Sequence, residues 1–203
     1  MVDYYAMVPQ HVDDVVAAYE LPSSALRHYV FVSTNMVYPG GPGSFDISPL
    51  RPTVPEELAQ VASAAAEPDD YGGLKLKCEA ALAAAWERCQ FPYTTLRPPS
   101  VVGPACDNRH ERLQRLAMGI ENLPPRGGRA FAAERGGFRV AYSEDMASAV
   151  VATLAVGAPS LNEAFNIAQA EVVTVQDYLD GVKAALEASG CPAIATAEQV
   201  SLS

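Results

Sequence analysis

An α/β chain folded around a parallel, doubly wound sheet is the architecture this sequence predicts, and three observations carry the expectation. Short β-branched and aromatic runs alternate with amphipathic runs of helical period over the first two-thirds of the chain, which is the pattern of βαβ units. Residues 28–34, HYVFVST, are apolar nearly throughout, as a strand covered on both faces of a parallel sheet must be. No repeat of solenoid period overlies this alternation.

The elements follow in order. Residues 2–7, VDYYAM, are a short and mostly apolar run, expected as a strand. Pro9 suits a first helical turn, and residues 11–20 place Val12, Val15, Val16 and Tyr19 at helical spacing. Residues 21–24, LPSS, stop that helix, and the buried strand 28–34 follows. A long loop opens at Tyr38 and reaches about Pro55; loops of that size in compact domains are usually functional. Residues 62–68 are a small-residue linker, after which Asp69 or Asp70 can cap a helix over 71–89. Its apolar stripe is Leu74, Cys78, Leu82, Ala85, Trp86 and Cys89.

Residues 93–97 form the next strand, ended by Pro98 and Pro99. A helix over 108–119 carries His110, Arg112 and Arg115 on polar faces, and a Gly/Pro/Arg-rich loop spans 124–137. Residues 138–142 read as a strand, with Ser143 capping a helix over 144–156. Residues 163–168 are strand-like, and Thr174 caps a helix over 175–188 with Val175, Tyr178, Leu179, Val182 and Leu186 as its apolar face.

Composition excludes several classes. The 203 residues are 49% hydrophobic and 19% charged, ordinary for a globular domain. A net charge of −10 disfavours nucleic acid, whose phosphates need a basic surface. No run of about 18 apolar residues offers a membrane span, and no leader pattern starts at Met1. Cys78, Cys89, Cys106 and Cys191 form no CxxC or Cys/His cluster, so they are expected as free thiols in the cytoplasm or another reducing compartment. His11, His28 and His110 are scattered, and no metal site is expected.

Chemistry concentrates at residues 71–75, YGGLK. Residues four apart on a helix share a face, so the Tyr71 hydroxyl and the Lys75 ammonium are expected in one cleft. A nearby cation favours the phenolate, and a phenol so tuned exchanges protons with a substrate hydroxyl or carbonyl. Ser33 and Thr34 end the most buried strand, and ligands of open α/β sheets bind at the carboxyl ends of strands.

These segments resemble the extended short-chain dehydrogenase/reductases of the NAD-dependent epimerase/dehydratase family. Residues 28–38, HYVFVSTNMVY, look like that family's strand ending in Ser/Thr and an aromatic. Residues 71–75 match YxxxK, and Glu79 is similar to the glutamate often found shortly after that lysine. Residues 96–104, LRPPSVVGP, look like the LRPxxVYGP signature, with Val102 where tyrosine is usual. Residues 143–147, SEDMA, are similar to a late V-x-D-x-A segment, with Ser143 in place of valine, and Phe165, Asn166 and Ile167 are similar to the strand after it. The resemblance spans roughly residues 2–188, in the family's order.

The resemblance implies a truncated Rossmann-like doubly wound parallel sheet lacking its first strands, with a small partial C-terminal substrate region. Residues 1–105 would be the partial dinucleotide-binding region, and 106–203 a partial substrate-binding region interleaved with late Rossmann elements. Thr34, Tyr71 and Lys75 would be catalytic. Ser33, Tyr71, Lys75, Pro99, Ser100 and Val101 would meet the nicotinamide half of NAD or NADP. Asn108, Arg109 and Arg112 would approach a small-molecule substrate.

No GxxGxxG occurs in these 203 residues, and the GGPG at 40–43 follows the wrong strand. Residues 2–7 are then expected at a sheet edge beside 28–34, open to self-association. Cofactor binding by this chain alone is expected to be weak or absent. An epimerase, dehydratase or reductase acting on a nucleotide sugar or related alcohol or carbonyl is one reading. A non-catalytic binding protein of the same fold is another, as in the chloroplast stem-loop RNA-binding relatives, which are similar around Phe165 and Val173. An inactive fragment is the third. Thr34, Tyr71 and Lys75 together favour the enzyme, and the acidic balance disfavours RNA.

Overall fold

The computed structural model describes residues 1–38, 71–99, 101–103, 137–188 and 190. In chain order the elements are β1 (Val2–Asp3), α1 (Pro9–Tyr19), β2 (Tyr29–Val32), a single 3-10 turn (Asn35–Val37), α2 (Tyr71–Cys89), β3 (Tyr93–Arg97), β4 (Val101–Val102), β5 (Gly137–Phe138), β6 (Ala141–Tyr142), α3 (Ser143–Val156), a 3-10 turn (Ala158–Ser160), β7 (Glu163–Asn166), β8 (Val173–Thr174) and α4 (Val175–Ala188). The chain divides into two compact units. One joins Met1–Gly43, Val54–Val101 and Val140–Ala168; the other joins Ser44–Thr53, Val102–Arg139 and Gln169–Ser203.

The first unit is built on a sheet of order β1-β2-β3-β7. Its strands are parallel, with Val2 opposite Val30, Phe31 opposite Thr95 and Thr95 opposite Ala164. Side chains alternate across a strand, and β2 shows how that winds helices onto both faces. Tyr29 and Phe31 pack with Val12 and Val16 of α1 and Cys78, Leu82 and Ala85 of α2. Val30 and Val32 point the other way, onto Leu96 and onto Met146 and Val150 of α3. All four residues of β2 are buried, as expected for a strand covered on both faces. In the second unit β5 and β8 pair antiparallel, Gly137 opposite Thr174, and α4 follows.

Several expected elements change length, each for a local reason. The strand expected over 2–7 stops at Asp3, although it does lie at the sheet edge beside β2. Asp3 Oδ1 accepts from the backbone N–H of Tyr5 at 2.6 Å and of Ala6 at 2.9 Å, and this turn ends the ladder. The strand expected over 138–142 is two strands that join different sheets. Ser143 is not a cap: it is the first helical residue of α3, the N-cap is Tyr142, and no side chain caps the end. Glu144 and Asp145 instead set negative charge against the positive N-terminal end of the helix. The strand expected over 163–168 ends at Asn166.

Helix α1 starts with Pro9 in its first turn, as expected. Helix α2 has the predicted bounds but a wider buried face, which takes in Gly72, Gly73, Lys75, Leu76 and Glu79 besides the apolar stripe, while Leu74 is only half-buried. The expected loop over 38–55, the linker 62–68, the caps Asp69 and Asp70, the helix 108–119 and the loop 124–137 lie outside the described residues, Tyr38 and Gly137 excepted.

Candidate functional site

The site grows from the carboxyl end of β2. Thr34 is the extended N-cap of the 3-10 turn, and its Oγ1 accepts from the Met36 N–H at 3.2 Å. That bond uses an oxygen lone pair and leaves the hydroxyl proton to donate. The first turn of α2 presses on the same 3-10 turn. A Cβ built on Gly72 would stand 2.1 Å from the Met36 carbonyl oxygen, so only glycine fits there. Val37 and Leu76 bury each other one turn further along. The close approach brings the start of α2, and so Tyr71, up to the turn that Thr34 caps. Tyr71 is 42% exposed.

Lys75, one helical turn on, is 1% exposed. Its Nζ donates to the Val32 carbonyl oxygen at 2.9 Å and lies 4.7 Å from the centroid of the Phe31 ring. Burial pushes the ammonium below the ordinary lysine range, and Cys78, Asp3 and Glu79 pull the other way. An ammonium has three N–H donors. The bond to Val32 is its one hydrogen bond among the described residues.

Ser33 points elsewhere. Its Oγ donates to Glu79 Oε1 at 2.5 Å. Glu79 also receives Arg97, with Nη2 to Oε2 at 2.6 Å and Nε at 3.2 Å from both oxygens. Arg97 Nη1 donates to the Tyr38 hydroxyl at 3.1 Å, and that hydroxyl donates to Asn166 Oδ1 at 2.7 Å. Glu79 and Arg97 are both buried. This network was not anticipated from the sequence. The available signal was that Lys75 and Glu79 each directly follow an apolar-stripe residue, Leu74 and Cys78, at the flank of the buried face.

Lys75 and Thr34 thus both stand at the end of β2, one bonded to Val32 and the other capping the turn that follows, while the Ser33 hydroxyl turns to Glu79. Pro99 is half-buried just past the carboxyl end of β3, and Val101 opens β4. Ser100, Asn108, Arg109 and Arg112 lie outside the described residues. Among the described residues no group of His, Cys, Asp or Glu could hold a metal ion, and no helix is long and apolar enough to cross a membrane. Cys78 and Cys89 are free, with burial pushing the Cys78 thiol up to about 11.

A parallel sheet with helices on both faces, and a Ser/Thr pair and a Tyr-Lys helix at its strand ends, defines a Rossmann-like α/β protein. The NAD dependent epimerase/dehydratase family matches residues 10–168, and the chain belongs to that family. No curated protein matches the sequence. Among solved structures the chain is similar to UDP-glucuronic acid 4-epimerase from Bacillus cereus in complex with UDP-glucuronic acid and NAD. The identity is 22% and the TM-score 0.65, over 91% of this chain and 52% of that one. It is also similar to RMD from Pseudomonas aeruginosa complexed with NADPH, at 14% identity and TM-score 0.60, over 91% and 58% of the two chains. The terminal R domain of the myxalamid PKS-NRPS pathway matches at 16% identity and TM-score 0.60, over 91% and 46%. The chain spans about half the length of these structures, and at such identities the likeness is one of fold.

Proposed function

We propose that Thr34, Tyr71 and Lys75 form a nicotinamide-dependent proton-transfer site. The substrate class is a nucleotide sugar or a related alcohol or carbonyl compound. The observation that carries this reading is Lys75. A buried ammonium with one acceptor has two N–H donors left to place, and burying such donors without acceptors is costly. Adjacent ribose hydroxyls supply acceptors of the right kind, so the residues present fit the nicotinamide riboside half of NAD or NADP. When bound, that group takes or gives the hydride at carbon.

The chain's own residues do the rest. Tyr71 as phenolate would take the proton of a carbinol hydroxyl being oxidised, and as phenol would return it to the oxygen of a carbonyl being reduced. The positive charge of Lys75, one turn away on the same helix, stabilises the phenolate. The Thr34 hydroxyl donates to the substrate oxygen and holds it near Tyr71. The backbone from Pro99 through Ser100 to Val101 would meet the carboxamide.

The 203 residues contain no GxxGxxG, so the polypeptide by itself holds the nicotinamide half more firmly than the adenosine half. The test is NMR titration of chain labelled with 13Cε-lysine, using nicotinamide mononucleotide and then NAD and NADP. With Lys75, Lys77 and Lys183 as its lysines, the Lys75 resonance is assigned by its loss in Lys75→Met. The expected result is a saturable shift of Lys75 by the mononucleotide, with little gain in affinity from the full dinucleotides. A Lys75 resonance unmoved by all three at millimolar concentration rejects the reading, and micromolar NAD or NADP binding rejects the half-site part of it.

A further inference from the structure

We propose that Glu79, gripped by Arg97 and Ser33, is a positioning residue that sets the rotation of α2 and so where Lys75 stands against β2. This rests on the reading of Lys75 as a working residue.

The geometry is a two-point tether. Lys75 and Glu79 are four residues apart, on one face of α2. Lys75 is bonded to the backbone of Val32, and Glu79 to the side chain of the next residue, Ser33. Apolar packing holds α2 against the sheet but is not directional, so one polar attachment would leave small rolls and slides of the helix weakly opposed. Two directional attachments, about 6 Å apart along the helix axis, oppose both movements. The second point is itself anchored. Both Glu79 oxygens are engaged, and Arg97 of β3 continues through the Tyr38 hydroxyl to Asn166 of β7. The guanidinium also lies 5.5 Å from the centroid of the Tyr38 ring.

Stability is a poor explanation for this arrangement. A buried ion pair commonly contributes no more than an apolar pair of equal volume, whereas its directional bonds hold registry. What it registers here is a helix whose first turn carries Tyr71 and whose second carries Lys75. The same network joins four of the segments by which the family resemblance is recognised: the strand ending in Tyr38, the YxxxK helix, the strand carrying Arg97, and Asn166.

The test uses variants that keep the charges in place: Ser33→Ala, which removes the bond to Glu79, and Glu79→Asp and Arg97→Lys, which change the reach and geometry of the pair. Lys75 is followed by its 13Cε titration in the whole chain, with thermal unfolding alongside. If Glu79 positions α2, the Lys75 midpoint rises toward the ordinary lysine range by about half a pH unit or more, because a loosened helix lets water reach the ammonium. The folded variants should show this even where melting falls only slightly. Ser33→Ala removes a single oxygen and keeps the test available if either other variant fails to fold. Lower melting with an unmoved Lys75 midpoint in folded Ser33→Ala would overturn the proposal and leave Glu79 a purely structural residue. A moved midpoint in a chain whose Lys75 ignores nicotinamide mononucleotide keeps the tether and rejects only the binding reading.

Discussion

Lys75 donates to the Val32 carbonyl oxygen at 2.9 Å from a fully buried position, so a helix cation is tied to the backbone of the central strand beside it. Burial lowers its proton affinity. Below the folded-state value both folded and unfolded chains hold the proton, and the burial cost is present in full. As pH rises toward the ordinary lysine value the folded chain releases its proton first, and the cost is relieved. Relative to Lys75→Met, the wild-type chain should therefore gain stability between pH 7 and 10. Urea unfolding of both chains at the two pH values measures it. A difference that does not change with pH would mean that Lys75 is not buried as a cation.

Gly72 and Gly181 make a paired prediction. Gly72→Ala drives a methyl group into the Met36 carbonyl and should cost about 1–3 kcal/mol or more. Gly181 of α4 has nothing within 4 Å of an added Cβ, and Gly181→Ala should gain about 0.5–1 kcal/mol from helix propensity. Thermal unfolding of the two variants should move in opposite directions.

Breaking the Glu79–Arg97 pair on one side strands a buried charge. Glu79→Leu or Arg97→Met alone should cost about 3–5 kcal/mol, and the double variant markedly less than the sum. A double-mutant cycle in urea reports the coupling. Strict additivity would contradict the pairing seen here.

His28 gives an acid-side prediction. The Thr94 hydroxyl donates to the Ser160 carbonyl oxygen, so Thr94 accepts from the His28 Nε2–H at 2.8 Å. Burial, aided by the positive amino terminus, lowers the proton affinity of His28. The unfolded chain then binds a proton first as pH falls through the ordinary histidine value, and stability drops until the folded-state value is passed. Between pH 7 and 5.5 the wild-type chain should lose stability that His28→Gln does not lose. Equal slopes for the two chains would remove His28 as the cause.

Much of this architecture was legible because local patterns are decided locally. A period of 3.6 marked α1 and α2, and an unbroken apolar run marked β2 as covered on both faces. The edge position of β1 also followed, since the family order leaves no earlier strand in these residues to pair with it. Strand ends were misjudged where a single side chain decides them: Asp3 folds back on Tyr5 and Ala6, and no propensity of residues 4–7 reveals that.

The sequence by itself determined which residue types stand at the strand ends and on α2: Ser33 and Thr34, Tyr71 and Lys75, Glu79 and Arg97. Only the tertiary structure decided what each one touches. Lys75 and Val32 are 43 residues apart in the chain, Ser33 and Glu79 are 46 apart, and Tyr38 and Asn166 are 128 apart. A charged residue beside an apolar stripe reads as a solvated flank until a strand carbonyl, a serine and an arginine arrive from elsewhere to satisfy it. Packing two helices against the sheet at Phe31 buries those charges, and the hydrogen bonds that make their burial tolerable exist only once the sheet has formed.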